Sequence, residues 1–398
     1  MKQQQLMKQQ QTENLQIYLD NNASTYLDPQ VKDVILQHLD ILGANPSSSH
    51  QQGKKIRSLV SKARDIIAKY LGVSSQEIIF TSGGTEGANL AIHGLLPEKG
   101  CHHIISSSAE HSSVFHTLEL LEKQGHLIQF LKPTLYGAPT PQAVENAILP
   151  STKLIALMAV NNETGVKTDI KVIGEIALEH NIPFFVDGVA LLGKEFVRIP
   201  PGVAMMSFSA HKCHAPQGIG FCFLRKGTKC RPLFTGGEHE YGKRAGTENV
   251  LGIIALGKAI EVLSQEIHEA SKRMERLRNY FEEKLLVFLH NVSINGQGPR
   301  VANVSNIAFE GVDGETLLIE LDRHGIQASH GSACASGSLE PSRVLLQMGI
   351  KDSLVKSSIR FSLSRFTTEE EIEKAIEIIK SLVKPRSGSS RWQINARS

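Results

Sequence analysis

Apolar residues fall along this chain in two alternating textures. Short, mostly apolar runs recur at residues 78–80, 103–106, 127–131, 154–160, 183–186, 203–208 and 219–224. A strand with one wet face alternates apolar and polar positions, so runs without that alternation predict strands buried on both faces. Elsewhere the apolar spacing takes the helical period. Asp28-Pro29 opens a helix with apolar Val31, Val34, Ile35 and Leu39, closed by Gly43, and Ile56, Val60, Ala63, Ile67 and Tyr70 mark a second helix that ends at Gly72. Further helical segments run to Leu96 and through Leu121, each behind one of the apolar runs. Strands separated by helices imply crossover connections. The expected fold is therefore α/β, with a large domain built on a mostly parallel seven-stranded sheet flanked by helices. In such sheets ligands sit outside the carboxyl ends of the strands.

After Asn249 the pattern becomes finer. A long helical stretch over 253–289 is followed by strands at 292–294 and 304–309 and by a helix through Leu317, Leu318 and Leu321. A small-residue loop at 329–338, a strand at 359–363 and a helix over 369–382 complete it. Interleaving on this scale predicts a smaller α+β domain packed on the first. The division expected is a disordered tail at 1–14, a large domain at 15–254 whose first residues are free to pack on the small domain, a small domain at 255–383 that carries the loop, and a flexible tail at 384–398.

Composition narrows the functional classes. A chain of 398 residues has room for two or three domains, and 43 Lys plus Arg against 40 Asp plus Glu leave a formal charge of only +3. That balance gives no reason to expect DNA or a membrane as a partner, and no apolar run approaches the ~20 residues of a membrane span. The Gln-rich N-terminus has no apolar core of a secretory leader. Five cysteines without a C-x-x-C pair point to free thiols in a reducing cytoplasm, with neither a disulfide framework nor a zinc site.

Several residues stand where chemistry is commonly placed. Lys212 ends the stretch Ser209-Ala-His-Lys212 just past the run 203–208, before Pro216 and Gly218 break the backbone. A lysine there is either a surface cation or an amine whose pKa a dry site lowers until it can attack a carbonyl. Ser82-Gly-Gly-Thr-Glu86 joins a strand to a helix, so it is either a glycine turn capped by Thr85 or a helix N-terminus that receives a phosphate. Asp187 closes the run 183–186 and either caps a turn with Gly188 or answers a buried cation. His111, Asn162, Thr247 and Arg360 each carry a similar pair of readings: helix start or a catalytic residue that stacks on a ring and handles protons, turn amide or ligand contact, helix cap or phosphate donor, edge-strand arginine or two-pronged carboxylate clamp. Cys334 lies in Gly331-Ser-Ala-Cys-Ala-Ser336, with no apolar anchor nearby, where a nucleophile that travels would be carried.

Together these residues resemble one family, the cysteine desulfurases among the fold-type I pyridoxal-phosphate transferases of the class V aminotransferase type, in the branch with a long catalytic loop. The resemblance runs from Tyr18-Leu-Asp-Asn-Asn-Ala23 to about Leu382. It rests on Ser82-Gly-Gly-Thr-Glu86, Glu110-His111, Asn161-Asn-Glu-Thr-Gly165, Val186-Asp187, Ser209-Ala-His-Lys212, Gly236-Gly-Glu-His-Glu240, Arg244-Ala-Gly-Thr247, Gly331-Ser-Ala-Cys-Ala-Ser336 and Ser358-Ile-Arg-Phe-Ser362, in the family's order and spacing. It implies that Lys212 bonds pyridoxal 5'-phosphate covalently and later takes the Cα proton of L-cysteine, that Asp187 pairs with the ring nitrogen and that His111 stacks on the ring. Gly84, Thr85, Ser209 and His211 would hold the phosphate, with Thr247 reaching the cofactor of the neighbouring subunit in a homodimer. Asn162, near the cofactor, and Arg360 would bind the substrate carboxylate. Cys334 would take the sulfur as a persulfide and hand it to an acceptor protein, such as an iron–sulfur scaffold or a sulfur carrier. By the same resemblance Cys334 is a candidate transient iron–sulfur ligand, and no resident metal is expected.

Two departures from the family pattern stand out. Ala190 occupies the place of a glutamine whose amide bonds the cofactor's ring oxygen, and Cys213-His-Ala215 replaces the usual apolar or aromatic pair and glycine. Two other readings stay open beside the desulfurase: a selenocysteine lyase, and a weakly active homologue that serves as a docking partner in sulfur transfer.

Overall fold

The computed structural model describes residues 16–331 and 341–383. Its first half contains β1 (Ile17–Tyr18), α1 (Pro29–Gln37), α2 (Gln51–Leu71), β2 (Ile78–Thr81), α3 (Gly84–Leu95), β3 (His103–Ser107), α4 (Ser112–Lys123), β4 (Leu127–Leu131), α5 (Pro141–Asn146), β5 (Thr152–Met158), α6 (Ile170–Glu179), β6 (Phe184–Asp187), β7 (Val203–Ser209) and β8 (Gly220–Leu224). There follow α7 (Val250–Phe288), β9 (Val292–Ile294), β10 (Val304–Phe309), α8 (Gly314–Arg323), β11 (Ile326–Gln327), α9 (Arg343–Gln347), α10 (Asp352–Lys356), β12 (Ser358–Ser362) and α11 (Glu369–Val383).

Strands β2 to β8 form the expected seven-stranded sheet, in the order β2-β8-β7-β6-β5-β3-β4. All neighbours are parallel except β8, which runs antiparallel to both β2 and β7. The apolar runs have a direct cause. In β6, Phe184 and Val186 enter one core cluster while Phe185 enters the cluster on the opposite face, so every position in the strand is buried. Helices α3 and α4 cover the second face with Leu90, Ile92, Val114 and Leu118, and α2 contributes Ile56, Val60 and Ile67 to the first.

The second half builds a three-stranded antiparallel sheet, β12-β10-β9, with its own core of Phe281, Phe309, Phe361 and Ile376. Helix α7, 39 residues long, belongs to both cores: Ile253, Leu256 and Leu263 pack with the large sheet, Leu277, Phe281 and Leu285 with the small one. The chain's first strand also crosses over, since Ile17 and Tyr18 pair in parallel with Ile326 and Gln327. No helix among the described residues is long and apolar enough to cross a membrane.

Candidate active site

The carboxyl ends of β5, β6 and β7 lie side by side, with Met158 in register with Asp187 and Asp187 with Ser207. Above them opens a cavity of about 910 Å³, counted out to its mouth, lined by Gly84, Thr85, His111, Asn162, Asp187, Ser209, His211, Lys212 and Arg360. Residues as far apart in the sequence as Asn22 and Arg360 thus share one space.

Lys212 ends a single 3-10 turn, Ala210–Lys212, that caps β7. Its Nζ donates to the carbonyls of Asn22 and, at 2.8 Å, Ala23, which fixes the amine against the segment before α1. His211, beside it, faces Ser24 Oγ at 3.3 Å, and burial first, then the charges of Lys212 and Lys194, pushes its imidazole down to about 4. His211 is therefore neutral near pH 7 and acts through hydrogen bonds rather than charge.

Asp187 is the last residue of β6 and is buried, with one carboxylate oxygen accepting from Val189 N at 3.0 Å. That bond is the turn-capping role read from the sequence, and it uses a single acceptor site. Burial raises the carboxyl above its ordinary range, while His111 and Lys212 pull it back. A further cationic donor in the cavity would complete the compensation. Behind it, Glu110 is buried as well, and burial, with Asp187 adding, holds its carboxyl well above the usual range. His111 is the N-cap of α4, its Nδ1 accepting from Ser113 N at 3.2 Å, so the ring carries its proton on Nε2.

Helix α3 starts at Gly84 behind Gly83, and no side chain caps it. The sequence reading of Thr85 as the cap is thereby replaced: Thr85 is the second helical residue, and the helix presents its unpaired N–H groups to the cavity. A Cβ at Gly84 would lie 2.5 Å from Val189 Cγ2, so the turn fits only without a side chain there. In the turn after β5, Asn161 takes the backbone-satisfying role, its Oδ1 accepting from Glu163 N (3.0 Å) and Thr164 N (2.9 Å). Asn162 is left to line the cavity.

Arg360 lies in β12, an edge strand, yet is only 1% exposed. Nη2 pairs with Asp20 Oδ1 at 2.7 Å, Nη1 donates to Asn162 O at 3.2 Å, and Nε has no partner among the described residues. An anchored guanidinium with an unused donor at a cavity wall is arranged to receive a carboxylate.

Two expected residues are not among the described lining. Thr247 is exposed and lines a separate cavity with Ser82, Arg244 and Glu248, and the cap of α7 is Asn249, not Thr247. Cys334 lies outside the described residues. The chain on either side of it does reach the site: Ser329 and Arg360 exchange backbone hydrogen bonds, and Ser342 donates to the buried Glu163 at 2.5 Å. Sequence reading missed the lining by Asn22, Ala23, Ser113 and Lys194, none of which lies in a strand-end motif.

The set suits a flat ring with a phosphate, a carbonyl and a basic nitrogen. It offers an amine, an uncapped helix N-terminus with a hydroxyl from Ser209, and a buried acid. The described cysteines are all free, with Cys213, Cys222 and Cys230 buried and Cys101 exposed.

Comparison with known proteins agrees. The aminotransferase class-V family matches residues 17–375. A cysteine desulfurase of Nostoc sp. is 42% identical over 372 residues, 92% of each chain. The cysteine desulfurase IscS of Dictyoglomus turgidum is 40% identical over 392 residues, covering 96% of this chain and 99% of its own. Among solved structures, a NifS-like protein superposes with a TM-score of 0.86 at 32% identity, over 93% of this chain and 99% of the other.

Proposed function

This chain belongs to the class-V aminotransferase family, and from that premise we propose how its residues work as a cysteine desulfurase, converting L-cysteine to L-alanine. The observation that carries the assignment is the meeting of Lys212, Asp187 and Arg360 in one cavity: an amine to bond a carbonyl, an acid to hold a pyridine proton, and a clamp for a carboxylate. Pyridoxal 5'-phosphate, on which the family depends, supplies an electron sink for the bonds around Cα when bound.

Each protein group then has a distinct part. Lys212 holds the cofactor through Nζ and takes the Cα proton of the substrate. Asp187 keeps the ring nitrogen protonated and His111 covers the ring. The start of α3 at Gly84 and Thr85, with Ser209 and His211, holds the phosphate. Arg360, braced by Asp20, fixes the substrate carboxylate beside Asn162. The Cys334 thiolate attacks the substrate sulfur: an S–S bond forms, the Cβ–S bond breaks with its electron pair left on carbon, and Cβ takes a proton. Alanine leaves and the sulfur stays as a persulfide on Cys334. A sulfur-acceptor protein, in iron–sulfur cluster assembly or thiolation, collects it. The exposed position of Thr247 favours a homodimer in which it reaches the neighbour's phosphate, and the free thiols favour a reducing cytoplasm.

The test is Cys334→Ser. The variant should bind cofactor and change its spectrum on adding L-cysteine, yet form no persulfide by mass spectrometry and release almost no alanine, because a hydroxyl accepts no sulfur. Turnover at the wild-type rate would remove Cys334 from the mechanism.

A further inference from the structure

Lys194 is 1% exposed, and its Nζ meets no hydrogen-bond partner among the described residues, although the side chain lines the same cavity as Lys212 and Asp187. An ammonium carries three donors and no acceptor, so an interior that leaves all three unmade is unfavourable. Burial, opposed by the Cys213 thiol and aided by the charge of Lys212, pushes the amine down to about 8. The titratable groups that face it are Cys213, Lys212, His211 and His214, none of them a carboxylate. The fold has therefore placed a donor beside the cavity with nothing among the described residues to receive it.

A second observation says what is missing on the other side. Asp187, Ala190 and Lys194 follow one another along the turns beyond β6, where Leu191 N bonds Gly188 O and Lys194 N bonds Leu191 O, each at 3.1 Å, and all three line the cavity. Ala190 ends in a methyl group where the related enzymes place an amide on the cofactor's ring oxygen. The other polar atoms of pyridoxal phosphate are already provided for: the nitrogen by Asp187, the phosphate by α3, Ser209 and His211, the carbonyl carbon by Lys212. In that assignment the ring oxygen is the polar atom left without a donor, and Lys194 Nζ, like Arg360 Nε, has no acceptor among the described residues.

We propose that Lys194 is a cofactor-binding residue whose Nζ donates to the ring oxygen of pyridoxal phosphate through the space left by the short side chain of Ala190. The proposal rests on the reading of this cavity as a cofactor site. An anionic ring oxygen gives Nζ a charged acceptor and favours its ammonium form.

Lys194→Met tests this, being close in size and without a donor. A donor to the ring oxygen weakens that oxygen's hold on the proton it shares with the Lys212 nitrogen, so its loss should move the spectrophotometric pH titration of the bound chromophore upward by about one to two units. Adding Ala190→Gln to Lys194→Met should return the titration toward wild type, and Ala190→Gln alone should move it less than Lys194→Met does. The cofactor-free Lys194→Met protein should melt at or above the wild-type temperature, because an unpartnered buried amine has been removed. An unchanged titration in Lys194→Met overturns the proposal while leaving the cofactor site intact. So does a change confined to KM for L-cysteine, which would assign Lys194 to the substrate carboxylate. A wild-type protein that takes up no cofactor overturns both readings.

Discussion

Arg360 illustrates how much of this site is decided by single side chains. Its guanidinium is fully enclosed and held from one side by Asp20 and the Asn162 carbonyl, which leaves its remaining donors aimed by the fold rather than by rotamer choice. A lysine has one charge and no fork, so Arg360→Lys should raise KM for L-cysteine by about ten- to a hundredfold, the worth of one hydrogen bond to a charged group. Steady-state kinetics on cofactor-saturated enzyme checks it; an unchanged KM would return Arg360 to the role of a structural strand residue. At this scale sequence reading pointed to cavity-lining residues where a polar residue follows an apolar run, as at Asp187 and Lys212. It failed at Lys194, which sits between Gly193 and Glu195 and looks like any surface turn. Its burial comes from the approach of Lys212, Cys213 and His214 across the chain, which no local pattern encodes.

At the scale of elements, most strands of the large sheet were legible because both of their faces are buried, which writes a largely apolar run; the edge strand β4, with Leu127 and Gln129 exposed, is the exception. Short pieces were not: β1 and β11 are two residues each, and α9 and α10 five each, too few for a period to show. Helix α7 was read as the opening of the small domain, whereas its first half packs in the large core; we propose that the domain division falls within it, not at 254. The turn that starts α3 is also held by a close contact with β8. At Gly220, the first residue of β8, a Cβ would lie 2.5 Å from Phe208 O and 2.7 Å from Gly83 Cα, both backbone atoms that cannot rotate away. Gly220→Ala should therefore displace the turn that starts α3, costing about 1–3 kcal/mol of stability and weakening phosphate binding without altering a cavity residue. Equilibrium unfolding and a cofactor titration measure both; wild-type values in each would show that the turn yields freely.

Across the whole molecule, residues 16–28 bind the two halves together. Strand β1 joins β11, Asp20 pairs with Arg360, Asp28 pairs with Arg365, and the Asn22 and Ala23 carbonyls hold Lys212. His214 belongs to this seam: it is buried, with Nδ1 donating to Tyr26 O at 2.8 Å and its ring edge-on to Phe366 at 4.8 Å. Burial, with Lys194 adding, pushes its imidazole from 6.5 down to about 4. Between those values the unfolded chain holds a proton that the folded one refuses, so stability falls as pH drops through that window. His214→Asn keeps a residue type that tolerates the observed φ of 66° and should flatten the acid slope by up to about 1.4 kcal/mol per pH unit. Denaturant melts from pH 7 to 4 decide, and an equally steep slope in both proteins would assign the acid sensitivity to other groups.

The central claim is that this cavity holds pyridoxal phosphate on one particular amine, although two lysines line it. Borohydride reduction of the cofactor-loaded protein, followed by proteolysis and mass spectrometry, reads that directly. The account predicts the reduced cofactor on Lys212 alone and no label in Lys212→Ala. A label on Lys194, or on any other lysine, would contradict it.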